Sequence, residues 1–185
     1  LKGGSSGKLQ IGTSINSDVE LLANSVAIAK LVAATNVELE RAVADIQDKF
    51  GSTTAAHHAA LLAAKVLADQ NESDKAEKAL TWVTQKADDG GLVALARLRL
   101  AALALQAKSY DKARQWLSAD VVPAFQPLVA DRLGDIALLQ DKRSEARDLY
   151  LKAWKGMDAR GDYRALIEVK LAALGVDPAA QEKKQ

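Results

Sequence analysis

The chain is a succession of apolar helical stretches separated by short polar turns. In one such stretch, Val37, Leu39, Val43, Ile46 and Phe50 recur at helical spacing and form the predicted buried stripe, and no segment alternates strictly between apolar and polar residues. Capping side chains and glycines mark where the stretches begin and end. The pattern predicts helices over residues 19–34, 36–50, 52–69, 74–87, 92–107, 110–119, 128–140, 144–157 and 162–174.

Part of this pattern repeats. Three polar turns are each followed by an alanine, at positions 76, 113 and 146. The two intervals between these alanines are similar in length. Twelve residues before each alanine the sequence has another small residue, which gives the pairs Ala64 with Ala76, Ala101 with Ala113, and Gly134 with Ala146. Gly134 is the only glycine predicted in the middle of a helix, away from its ends, where it costs about 1 kcal/mol relative to alanine. We therefore expect the two helices of each pair to approach closely at these small residues.

A period of roughly 34 residues with two helices per unit is typical of tetratricopeptide repeats. The third copy resembles that pattern at Gly134, Ala146, Tyr150 and Ala153, whereas the second departs from it at Asp120 and the first matches loosely. The resemblance implies an all-α, tetratricopeptide-like helical-repeat solenoid of about nine helices. These would form three degenerate repeats, an N-terminal helical pair before them and a C-terminal capping helix after them.

A more specific resemblance lies in the C-terminal third. The segments 129–138 (VADRLGDIAL), 140–147 (QDKRSEAR) and 165–174 (ALIEVKLAAL) are similar to the YfgM-like family, the ancillary subunits of the bacterial Sec translocon. Members carry one N-terminal membrane span and a periplasmic repeat domain, and they associate with the translocon and a periplasmic folding factor. The resemblance implies that this chain is the soluble domain, on the periplasmic face of the inner membrane, with its anchoring segment absent.

Composition narrows the class of protein. Alanine, the best helix former, supplies 36 of the 185 residues. The 25 basic and 24 acidic residues give a net charge of +1, which argues against a general nucleic-acid binder. The absence of cysteine excludes disulfides and thiolate zinc sites, and no apolar stretch reaches the roughly 18 residues that a membrane span needs. We expect one domain over residues 16–178, a flexible linker of native or cloning origin over 1–15 and a disordered tail over 179–185.

No motif for chemistry stands out. His57 and His58 are adjacent and so point about 100° apart on a helix, which disfavours a shared metal and favours a polar pair near the helix start. Asp131 and Asp135 share one helix face, where they repel and so predict either a cationic neighbour, Arg132 or Arg99, or a ligand. Core packing between repeats is the favoured interpretation for three tryptophans, Trp82, Trp116 and Trp154. No catalytic, cofactor or metal site is predicted, and an enzyme is disfavoured.

The favoured function is a protein-binding module. Stacked helix pairs leave a concave face lined by the first helix of each unit, and an amphipathic or extended peptide suits it. Chaperones or translocating chains are the partners that the resemblance implies. The alternative is a self-associating structural scaffold whose groove is filled by its own terminal helix, 19–34 or 162–174. By the repeat pattern, the concave face consists of His58, Leu61, Lys65, Leu95, Leu98, Leu105, Leu128, Asp131, Asp135 and Leu138.

Overall fold

A computed structural model describes residues 36–158, 161–178 and 180, and in this part of the chain all regular structure is helical. The predicted helix 19–34 and the predicted linker lie outside the described residues. None of the described helices combines the length and the apolarity that crossing a membrane requires. The α-helices are α1 (Asn36–Phe50), α2 (Thr54–Asp69), α3 (Ser73–Lys86), α4 (Gly90–Gln106), α5 (Tyr110–Ser118), α6 (Gln126–Leu139), α7 (Arg143–Gly156) and α8 (Asp162–Ala173), with a 3-10 turn at Pro123–Phe125.

Neighbouring helices pack as pairs that follow one another along the chain. The pairs are α2 with α3, α4 with α5, and α6 with α7, and the first helices α2, α4 and α6 also touch in sequence. Helix α1 packs on α2 before the first pair, and α8 packs on α7 after the last. This arrangement confirms the predicted all-α helical repeat within the described residues.

The core consists of three clusters that follow one another along the array and are made largely of alanine and leucine. One cluster joins α1 to α4, the next joins α4 to α6, and the last joins α6 to α8. All six small residues predicted to face each other are buried: Ala64, Ala76, Ala101, Ala113, Gly134 and Ala146. Phe50, which was predicted in the buried stripe of α1, is 57% exposed, so that part of the prediction is wrong.

The turn inside each pair has the same backbone conformation. One residue in each turn has a left-handed φ: Asn71 (64°), Lys108 (56°) and Asp141 (59°). The next amide donates back to the last helical turn, for example from Ser109 to the carbonyl of Ala104 at 2.8 Å, which is the pattern of a Schellman motif. Helix α8 ends in the same motif with Gly175 (φ 75°), one repeat period after Asp141. Helix α8 therefore corresponds to the first helix of a fourth unit.

Replacing Lys108 with glycine should stabilise the chain by about 0.5–1 kcal/mol. A side chain with a Cβ in the left-handed region costs roughly 1–2 kcal/mol, part of which glycine loses again through its freedom in the unfolded state. Asn71→Gly is the matched comparison and should gain less, because asparagine tolerates this region. Urea unfolding would measure both values, and a loss of stability in Lys108→Gly would contradict the assignment of strain to this turn.

The segment 88–91 differs from its prediction as a break between helices. Gly90 and Gly91 form the first turn of α4. The Asp89 side chain caps this turn by accepting from the amides of Gly91 at 2.7 Å and Leu92 at 3.0 Å. A Cβ on Gly90 would lie 2.7 Å from Val122 Cγ1, so a close approach of the chain before α6 explains why glycine stands there.

Candidate functional site

A cavity of about 240 Å³ lies between the first helices of the first two units, α2 and α4. Lys65 and Asp69 lie on the α2 side, with their charged atoms 2.8 Å apart, and Arg99 lies on the α4 side. Apart from the polar side chain of Gln106, the remaining wall is apolar: Ala64, Ala68, Leu80, Ala102 and Leu103. We call the surface formed by these positions and their equivalents in later units the first-helix face.

The first-helix face has exposed large apolar side chains in the last two units, although its third-unit positions also include Arg132 and Asp135. Counted back from the left-handed turn residue, Leu139 is equivalent to Asp69 and Gln106, and Val169 is equivalent to Lys65 and Ala102. Leu139 is 58% exposed, Leu166 is 46% exposed and Val169 is 66% exposed. Leu166 and Val169 lie three residues apart and so share one face of α8, and exposed apolar neighbours of this kind are candidates for contact with another protein.

Two of the residues predicted to line an open concave face are in the interior, and that part of the prediction is wrong. Leu61 belongs to the first core cluster and Asp131 has no exposed surface. Both lie where one unit packs on the next, since Leu61 receives a hydrogen bond from Arg99 and Asp131 receives one from Tyr163. The error arises because the positions that line the groove are neighbours, on the helix surface, of the positions that pack between units.

The other predicted residues divide into two groups. His58 and Lys65 are exposed. The remainder are partly buried, so they can contribute only an edge to a binding surface: Leu95, Leu98, Leu105, Leu128, Asp135 and Leu138. Whether a partner contacts any of them remains a prediction.

Asp131 and Asp135 are held by a network of charges and hydroxyls. Lys170 Nζ on α8 lies 2.7 Å from Asp131 Oδ1 and 2.6 Å from Asp135 Oδ1. Arg132 Nη1 lies 3.0 Å from Asp135 Oδ2, so the predicted cationic neighbour is Arg132 together with Lys170, while Arg99 lies elsewhere. Helix α8 therefore covers the carboxylates that the sequence suggested as a ligand site.

Two tyrosine hydroxyls complete this network. Tyr163 Oη donates to Asp131 Oδ2 and Tyr150 Oη donates to Asp135 Oδ1, both at 2.8 Å. Burial first, and then the hydrogen bond to Asp131, raises the pKa of Tyr163 to about 12. Burial and the bond to Asp135 likewise raise the pKa of Tyr150. Each tyrosine is thus held in its protonated, donating form.

The raised pKa of Tyr163 predicts a loss of stability in alkali. An unfolded tyrosine loses its proton near pH 10, so the stabilisation from Tyr163 is fully present below about pH 10 and is lost as the pH rises toward about 12. The free energy of unfolding of wild type should therefore exceed that of Tyr163→Phe by an amount that shrinks between pH 10 and 12. Urea titrations at four pH values would measure this, and a constant difference would contradict the network.

The histidines and tryptophans have mainly structural contacts. His57 is buried, unlike the predicted polar pair: its Nε2 lies 3.1 Å from the Gly51 carbonyl and its ring packs 5.3 Å from that of Trp82. Trp154 is buried and its indole nitrogen donates to Glu168 at 2.8 Å. Trp82 and Trp116 are partly buried against the core. Across the described residues, no group of three potential ligands is placed to hold a metal.

The sequence alone does not predict Arg99 as part of a cavity, or Tyr163 and Lys170 as partners of Asp131. Tyr163 and Lys170 lie two helices further along the chain than Asp131, and no pattern in the sequence links them. The exposed Leu139, Leu166 and Val169 were also missed. They could have been found from the repeat period in the sequence, because Gly175 follows the turn residue Asp141 by one period and so extends the repeat register across α8.

The structure has helix pairs in register, with buried small residues inside each pair and an exposed first-helix face. These features define a helical-repeat protein of the interaction type. The chain belongs to the tetratricopeptide repeat-like domain family, whose sequence pattern matches residues 22–176. A curated relative from Neisseria gonorrhoeae, named an ancillary SecYEG translocon subunit, is 33% identical over 137 residues. That match covers 74% of this chain and 66% of the relative, so the chain spans just under two thirds of the relative's length. The match confirms the resemblance to translocon ancillary subunits.

Proposed function

We propose that this chain is a non-enzymatic interaction module of the Sec translocon, at the periplasmic face of the bacterial inner membrane. It binds the translocon together with a chaperone or a chain in transit, and it uses the first-helix face to do so. The family supports a role in binding proteins, and the name of the Neisseria relative supports the translocon as the partner.

The observation that carries this proposal is the exposure of Leu139, Leu166 and Val169 at equivalent groove positions in the last two units. Water-exposed side chains of this size are stabilised by burial against a partner at about 25 cal/mol per Å². The same face is charged near Lys65 and Arg99, so an elongated ligand would bind it in one orientation. An amphipathic segment with one apolar and one charged end fits such a surface.

The test is capture of purified SecYEG in lipid nanodiscs by the immobilised chain. The double variant Leu139→Asp with Val169→Asp should weaken capture at least tenfold, because it places two charges on the apolar half of the face. Val122→Asp is the matched control, since Val122 is 37% exposed but lies outside the helix pairs, and it should bind as wild type does. Failure of wild type to capture SecYEG, or equal capture by the double variant, would overturn the proposal.

A second candidate, a self-associating scaffold, has one observation in its favour. Tyr163 and Lys170 of α8 bind Asp131 and Asp135, so the chain's own C-terminal helix contacts two of the residues predicted to line the groove. In this function Leu166 and Val169 would contact a second copy. Light scattering distinguishes the two: a dimer that dissociates in Val169→Asp supports the scaffold, whereas a constant monomer mass supports the translocon module.

A further inference from the structure

Two arginines occupy the same position in successive units but have different surroundings. Arg99 on α4 and Arg132 on α6 are separated by one repeat period, the same interval that separates the left-handed turn residues of their units. Arg132 lies near two carboxylates of its own helix, 3.0 Å from Asp135 and 4.0 Å from Asp131. The positions equivalent to those carboxylates in the earlier unit are Ala102 and Leu98. The chain thus supplies Arg132 with its counter-ions and leaves Arg99 without the corresponding pair.

Arg99 is held in place by the fold. It is half-buried, and its Nη1 donates to the Leu61 carbonyl at 2.6 Å. Within the described ranges, no carboxylate lies at ion-pair distance from its guanidinium, and burial lowers the pKa of Arg99. A guanidinium has five N–H donors in a planar fork, so further donors remain for a ligand.

The cavity in front of Arg99 combines this positive charge with apolar walls. The two other charged groups that line it, Lys65 and Asp69, form an ion pair with each other at 2.8 Å. The cavity therefore has one positive charge in excess. Ala64, Ala68 and Ala102 leave room that larger side chains would fill.

We propose that this cavity binds the side-chain carboxylate of an aspartate or glutamate that lies beside an apolar residue in a partner protein. The carboxylate pairs with Arg99 as Asp135 pairs with Arg132, and the apolar neighbour lies against the alanine wall. A charge-assisted bond to a half-buried guanidinium is stronger than a neutral one and fixes orientation. The proposal rests on the proposed function and specifies the chemistry of the segment that is bound.

The direct test uses three pentapeptides, each acetylated at its N-terminus, and nitrogen-15 NMR of the arginine Nε–H signals of the full chain. The first is Ala-Leu-Glu-Leu-Ala with an amidated C-terminus, the second has glutamine for glutamate, and the third is the glutamine peptide with a free C-terminus. The glutamate peptide should shift the Arg99 signal and bind at least tenfold tighter than both glutamine peptides. Equal binding of the amidated peptides, a shift with the free C-terminus alone, or no Arg99 shift at millimolar peptide would overturn the proposal.

Variants at Ala102 provide an independent test that retains Arg99. Ala102→Asp gives Arg99 an internal carboxylate three residues away, the same spacing as Arg132 and Asp135, and should weaken the glutamate peptide at least tenfold. Ala102→Asn has the same shape without the charge and should change affinity less than threefold. Equal effects of the two variants would overturn the proposal.

The same variants separate this inference from the translocon function. If wild type captures SecYEG and Ala102→Asp captures it equally well, the cavity is not the site although the function holds. If wild type does not capture SecYEG but Ala102→Asp still weakens binding of the glutamate peptide, the cavity is a carboxylate site and the translocon assignment fails.

Discussion

Replacing Lys170 with methionine should lower the free energy of unfolding by about 3 kcal/mol, the largest single effect that we expect in this chain. Lys170 is the ammonium shared by Asp131 and Asp135, and Asp131 is fully buried. Without Lys170, Asp131 keeps the hydroxyl of Tyr163 and only the distant edge of Arg132 at 4.0 Å. Breaking a buried ion pair by removing one partner typically costs about 3–5 kcal/mol, because the other charge stays behind.

Thermal unfolding would show this as a fall in Tm of roughly 6–12 °C for a domain of this size. Lys152→Met is the matched control, since Lys152 is exposed on the neighbouring helix α7, and it should have little effect. The pair Lys170→Met with Asp131→Leu should recover part of the loss, because an apolar pair can replace a buried ion pair at small cost. A Tm equal to that of the control would show that α8 is not held by this contact.

The sequence was sufficient for the fold because helix formation here is local. Periodicity, caps and turns lie within one or two helical turns of each other, so each helix boundary was found to within about two residues. Deviations of two residues occur at the starts of α2, α4 and α6, and at α4 the glycine at position 90 is explained by Val122, which lies beyond the next helix in the chain. A contact across units of this kind leaves no local pattern.

The site was predicted less well because it depends on which neighbour covers each helix face. Asp131 and Lys65 both lie on first helices with charged side chains, yet one is buried under α8 and the other is exposed. Asp131 is buried because Tyr163 and Lys170 of α8 pack over it. The sequence predicted helix α8 but not the face against which it packs. Repeat register recovers part of this information, since equivalent positions can be compared across units, as Arg99 and Arg132 show.

Replacing Gly134 with alanine should destabilise the chain by up to about 2 kcal/mol, although alanine is the better helix former. A Cβ at Gly134 would lie 2.6 Å from Cδ1 and Cε1 of Tyr150, a buried ring whose hydroxyl is tied to Asp135. Overpacking of this kind costs about 1–3 kcal/mol, which exceeds or offsets the gain of about 1 kcal/mol in helix propensity. Urea unfolding would measure the difference, and Ala101→Gly is the control that should lose stability by propensity and packing alone.

The three units together explain why glycine stands here, and they supply the rescue. Where the second helix carries leucine, at Leu80 and Leu117, the facing small residue is alanine, whereas Tyr150 faces Gly134. Gly134→Ala with Tyr150→Leu recreates the alanine–leucine pair of the other units, so the two substitutions should be less destabilising together than the sum of each alone. A coupling energy of about 1 kcal/mol or more in a double-mutant cycle is expected. Strict additivity would show that the ring of Tyr150 can move aside, and that close packing does not explain the glycine.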